Sequence, residues 1–176
     1  MKVDRDQGRL RISGNAMEAR VLRHILDAII TNYRTPPDQM DPKAAAAWYS
    51  TRGCQTAGLS AEDTRDWLEQ LHGYRSANLA LLEDCAAQLA RRAQGRRELR
   101  VPLDQAEALL TAFNDHRLLL AARHDIGQEE MDLPGLHALR KLSSERQLAL
   151  FEIHFLAWLI GEMLRLIAPE AASWQD

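Results

Sequence analysis

Phe113-Asn114-Asp115-His116-Arg117-Leu118-Leu119-Leu120-Ala121-Ala122-Arg123 sets a run of polar residues into the middle of a strongly apolar helical pattern. At about 100° per residue, Ala106, Leu109, Leu110, Phe113, Leu120 and Ala121 share one face, and Arg117 falls near its centre. A guanidinium drawn into a core needs a carboxylate, because an unpaired buried charge is too costly to keep. The stretch therefore predicts helices packed on helices around an internal ion pair.

The last apolar run supplies the partner. Leu148, Glu152, Phe155, Leu156, Leu159, Met163 and Leu166 project to one side of a helix, so Glu152 meets the core much as Arg117 does. Arg117 with Glu152 is the simplest pairing, with Asn114 and Asp115 close enough to satisfy the remaining donors. Glu18 and Glu162 are alternative partners. An ion pair that fixes helix register is the first reading of this cluster, and an anion clamp built from Arg117 and Asn114 in a cleft is its rival.

Outward from that pair, capping signals and periodicity divide the chain into an all-α bundle of five or six helices, one domain over residues 1–176. Residues 2–12 alternate Val3, Leu10 and Ile12 with charge around Asp6-Gln7-Gly8, predicting a short two-stranded hairpin. Asn15 with Glu18 forms a capping box for a helix over 15–34, which stops at Pro36-Pro37. Asp41-Pro42 starts a second helix over 42–51. Ser60 opens a third, read as one long helix over 61–94 bent at Gly73. Leu99-Arg100-Val101-Pro102 reads as an extended connector, and Asp104 with Glu107 as a capping box for a helix over 105–125. Helices over 135–142 and 145–168 complete the pattern.

Composition narrows the function classes. The net charge of -3 over 176 residues gives no global attraction to phosphate. Arg91, Arg92, Arg96, Arg97 and Arg100 crowd one helix end but lack aromatic interleaving, so no nucleic-acid partner is expected. The amino-terminal residues carry no apolar signal segment, which places the chain in the cytoplasm. The apolar run 148–167 contains Glu152, His154, Glu162 and Arg165, too polar to cross a membrane.

Metal and catalytic motifs fare no better. Glu69-x-x-His72 has the spacing of a di-metal bundle ligand pair but lacks the second copy such sites need, and the remaining histidines have no HExxH spacing. There is no phosphate loop and no nucleophile elbow. We therefore expect no metal, no cofactor and no catalytic residues. Cys54 and Cys85 are the only cysteines. Arg52 beside Cys54 favours a thiolate whereas Asp84 beside Cys85 opposes one, so a redox role rests mainly on Cys54. An apolar fraction of 46% and a very greasy last helix make a homodimer a natural way to cover nonpolar surface.

Several segments occur in the order found in a known family. Leu10-Arg11-Ile12 leads into a Glu-Ala-x-x-Leu helix. Tyr74 to Leu89, Asn114-Asp115-x-Arg117-Leu118 with Arg123 following, and Leu150-Phe151 through Trp158 to Leu164 come after it. The chain thereby resembles the bacterial domain-of-unknown-function family typified by the actinobacterial oxidative stress regulator AosR. The Asn-Asp-x-Arg-Leu signature is the specific part. The resemblance implies one helical domain and, in the actinobacterial branch, a thiol switch that works through contacts with transcription machinery. That switch needs a C-x-x-x-C pair, which Cys54 and Cys85 do not form, so the chain sits on a distant branch. Three functions stay open on sequence: a non-enzymatic regulatory or protein-interaction module, a small anionic-ligand binder or enzyme using Arg117 and Asn114, and a thiol-based redox regulator.

Overall fold

The computed structural model describes residues 1–49, 52–90, 97–131 and 142–168. Alternation builds its small sheet. β1 (Lys2–Asp6) and β2 (Arg9–Gly14) join through Gln7 and Gly8, both at positive φ, as a two-residue hairpin of the primed type requires. β3 (Arg97–Pro102) adds antiparallel to β2, pairing Leu10 with Val101 and Ile12 with Leu99. These four side chains are fully buried and form the inner face. The opposite face carries charge, with Arg11 bound to Asp4 through two nitrogens and Arg100 reaching Asp6.

The expected connector at 99–102 is thus a strand. Its alternation of Leu99 and Val101 with charge is too short to signal pairing without knowledge of the distant hairpin it completes. The Arg11 hydrogen bonds hold the Asp4 carboxyl well below its ordinary 3.8. A depressed carboxylate contributes stability that is fully present above the unfolded value and is lost as pH falls through the folded one. Acid titration should accordingly show a stability loss beginning near pH 3.8 that Arg11→Gln reduces. An unchanged acid limb in that variant would show that the pair contributes nothing.

Helices make up the rest. α1 (Ala16–Arg34) opens with the full Asn15/Glu18 capping box, and its Leu22, Ile25, Leu26, Ile29 and Tyr33 stripe lies in the core. The helix expected over 42–51 is α2 (Pro42–Trp48), which stops short of that end, and a further short helix, α3 (Arg52–Thr56), lies beyond it. The third expected helix is two: α4 (Ala61–Ser76) and α5 (Leu79–Ala90) part at Ala77 and Asn78 rather than bending at Gly73. Ala77 closes α4 by donating to the Gly73 carbonyl, and Asn78 starts α5 by accepting from Leu82 N–H, the kind of turn asparagine favours over a helix interior.

α6 (Ala106–Arg123) follows a 3₁₀ turn over Leu103–Gln105. The expected Asp104/Glu107 box does not form. The turn instead supplies the first hydrogen bond, Ala106 N–H to Leu103 carbonyl, and Gln105 occupies the cap without a side-chain bond. A short α7 (Gln128–Met131) stands between the helices expected over 105–125 and 135–142, and α8 (Ser144–Ile167) closes the described fold. The expected helix over 135–142 lies almost wholly outside the described residues, as do residues 91–96 of the arginine-rich stretch.

α6 packs along α8, α1 along α5, and α2 against α6. One main core runs from the sheet through α1, α5, α6 and the far half of α8, and a smaller cluster gathers Leu120, Ile126, Ala149, Leu150 and Ile153. No described helix is long and apolar enough to cross a membrane.

Candidate functional site

The polar residues of α6 go to separate places. Ala106, Leu109, Ala112, Phe113, His116, Leu119 and Leu120 are its buried positions, so the inward arc passes through His116 and leaves Arg117 on its flank. The expected pairing is therefore corrected. Among the described residues Arg117 makes no hydrogen bond or ion pair, its Nε is buried without a partner there, and desolvation lowers its pKa. Glu152 faces His116 instead, with Nε2 to Oε2 at 3.4 Å. Placing the face centre one residue too far along the helix, a rotation of about 100°, exchanges the two side chains. His116 fits the i, i+3, i+4 series from Leu109, Ala112 and Phe113 and could have been found from it.

Asn114 is exposed and stands apart from these contacts. Arg123 reaches across to α1 and donates from Nη2 to the Oδ1 of buried Asn32 at 3.1 Å. Asp115 is the centre of the most developed cluster. Its Oδ2 accepts from Arg75 Nε at 3.1 Å and from the Tyr33 hydroxyl at 3.0 Å. The two ionic side chains are only 14% and 13% exposed, so this pair is largely withdrawn from water.

Aromatic rings complete that cluster. The Arg75 guanidinium carbon sits 4.8 Å from the Trp48 ring centre and 4.9 Å from that of Tyr49, the geometry of a cation held over π faces. Arg75 Nη2 also donates to the Trp48 carbonyl, and the Tyr49 hydroxyl meets His72 Nδ1 at 3.2 Å. Burial, reinforced by the Asp115 charge, pushes the Tyr33 hydroxyl far above the usual tyrosine range, so it remains a donor.

These contacts explain how α4 is held. None of its residues is fully buried, yet Arg75 and His72 tie it to α1, α2 and α6. Sequence reasoning missed Arg75 because nothing local distinguishes it from a solvated helix arginine. A cleft of about 700 Å³ lies beside this clasp, between the Pro37 turn, Ala45 and Tyr49 on one side and Leu68, Glu69 and His72 on the other. Neither Arg117 nor Asn114 lines it, or either of two smaller hollows.

The thiols are both buried and unpaired with one another. Burial, with Asp84 adding to it, pushes the Cys85 thiol up to about 12. Among the described residues, no group of histidine, cysteine and acidic side chains could hold a metal ion.

α8 presents a second feature. Leu148, Phe151 and Trp158 are 56%, 52% and 42% exposed, with half-buried Phe155 between them. Phe151 and Phe155 stack with centres 6.4 Å apart, and Phe155 and Trp158 follow at 6.2 Å. The result is a continuous apolar ridge along the outside of the helix.

Arrangement and elements define an all-helical bundle with a three-stranded antiparallel sheet at its amino-terminal side. The chain belongs to the DUF2017 family, a domain of unknown function, whose model matches residues 1–167. No curated protein and no solved structure matches it.

Proposed function

We propose that the chain is a single-domain, non-enzymatic interaction module, and that the outer ridge of α8 is its contact surface, occupied first by a second copy of the chain. The ridge carries this reading. Leu148, Phe151, Phe155 and Trp158 follow one another at intervals of three, four and three residues, the spacing by which two helices pair along an apolar seam. An apolar ridge needs no charge-matched counterpart, so a two-fold axis can lay it on itself.

Area supports a reversible association. At about 150–250 Å² for each aromatic side chain, the half-exposed ridge with neighbouring apolar surface offers on the order of 500 Å² per copy. The pair would bury roughly 1,000 Å², at the lower end of specific interfaces. Sedimentation velocity from low micromolar to near-millimolar protein should show monomer giving way to dimer. Phe151→Glu and Trp158→Glu should each weaken dimerisation by roughly thirtyfold or more, the value of a lost interface anchor. Tyr74→Glu, on exposed α4, should leave it unchanged. A chain that stays monomeric throughout, or equal effects from all three substitutions, would reject the ridge as the contact.

Kinship with the actinobacterial oxidative stress regulators is part of the same proposal, supported by the Asn114-Asp115-x-Arg117-Leu118 signature. The thiol switch of that branch has weaker support, since Cys54 and Cys85 lack the C-x-x-x-C spacing and the Cys85 thiol is sealed in the core. An anion clamp at Arg117 and Asn114 lacks a cavity lined by either residue among those described.

A further inference from the structure

We propose that the cleft between the Pro37 turn, α2 and α4 binds an uncharged, largely apolar molecule carrying one carbonyl oxygen, held by the Nε2–H of His72. The cleft of about 700 Å³ lies within the range of small-molecule sites, about 300–1,000 Å³. Pro36, Pro37, Ala45, Ala46 and Leu68 make its lining mostly apolar, with a polar minority. Most of an occupant must therefore be apolar as well.

His72 supplies an oriented donor. Tyr49 is buried, which raises the pKa of its hydroxyl, and that hydroxyl meets His72 Nδ1 at 3.2 Å. A buried O–H needs an acceptor. Arg75, over the Tyr49 ring, has only donors, so the hydroxyl donates to Nδ1 and the hydrogen of the neutral imidazole sits on Nε2. Nε2 has no partner among the described residues and is not sealed from solvent. His72 is a half-buried wall of the cleft, so its open N–H is available to an occupant. The ring cannot turn away without breaking the Tyr49 bond.

The charged neighbours do not select an ion. Asp38, Arg65 and Glu69 are exposed and of both signs, so water screens them at the rim. An ammonium has no lone pair to accept from Nε2–H. A carboxylate would lose its hydration against apolar walls beside two acidic side chains. A neutral carbonyl accepts the hydrogen bond without either cost. None of the α8 ridge residues lines this cleft, which separates the two proposals experimentally.

NMR titration of the full chain with benzylacetone tests the site, beside hydrocinnamate, which puts a carboxylate in place of the methyl ketone, and butylbenzene, which lacks the acceptor. Benzylacetone should shift the resonances of Ala45, Ala46 and Leu68 together with the His72 Nε2 signal, and should bind about threefold or more tightly than either analogue, the value of one hydrogen bond. His72→Phe keeps a ring and removes the donor, so it should weaken benzylacetone by a similar factor and leave butylbenzene unaffected. Ala46→Trp, at an exposed wall position, should block both without threatening the fold. Phe151→Glu should leave ketone binding intact even as it weakens the dimer. No shifts at millimolar benzylacetone, shifts confined to other surfaces, hydrocinnamate binding as tightly, or equal losses of ketone and hydrocarbon in His72→Phe would overturn the proposal.

Discussion

Asp115→Ala is expected to destabilise the protein by about 3–5 kcal/mol, the cost of stranding one member of a buried ion pair. The guanidinium of Arg75 would remain over the Trp48 and Tyr49 rings, with its Nη1 already lacking a partner, and the Tyr33 hydroxyl would lose its acceptor. Arg75→Met combined with Asp115→Ala should recover much of the loss, because removing both charges removes the desolvation penalty as well. Urea denaturation of the four species gives the coupling directly. Strictly additive losses would mean that the two residues act independently. Since no α4 residue is fully buried, the single variant should also speed hydrogen exchange in α4 more than in α1 or α6.

Phe113→Ala should cost a similar amount, about 3–5 kcal/mol, by a different route. Its ring is fully buried at the middle of α6 within the main core. Deleting it removes apolar contacts and leaves a hollow that helices anchored by their neighbours cannot close. Against a typical total of about 5–15 kcal/mol, that loss should lower the denaturation midpoint severely, and Phe113→Leu should restore part of it by refilling volume. A loss below about 1 kcal/mol for the alanine variant would show that the core collapses around the site.

Much of this architecture is legible from local chemistry. The Asn15/Glu18 box, the apolar stripe of α1, Asp41-Pro42 at the start of α2 and the sustained apolar pattern of α8 all act within a turn or two of chain. What escapes the sequence depends on distant partners. β3 is a strand because β2 lies beside it, and α4 parts from α5 at Asn78 through a turn that the surrounding apolar periodicity conceals. The polar cluster shows the same limit. Its presence on α6 follows from the residues, but the destination of each side chain turns on one position of helical phase: His116 goes inward to Glu152, Arg117 stays at the flank, and Asp115 meets an arginine from a helix with no buried residue to announce it.

The ridge on α8 is where the functional account is most exposed to test. Isotope-filtered NMR on a mixture of labelled and unlabelled chains reads contacts between copies alone. The expected result is intermolecular transfer confined to the methyl groups of Leu148 and the rings of Phe151, Phe155 and Trp158, disappearing on dilution. Intermolecular contacts located on α4 or the sheet, or none at near-millimolar protein, would contradict it.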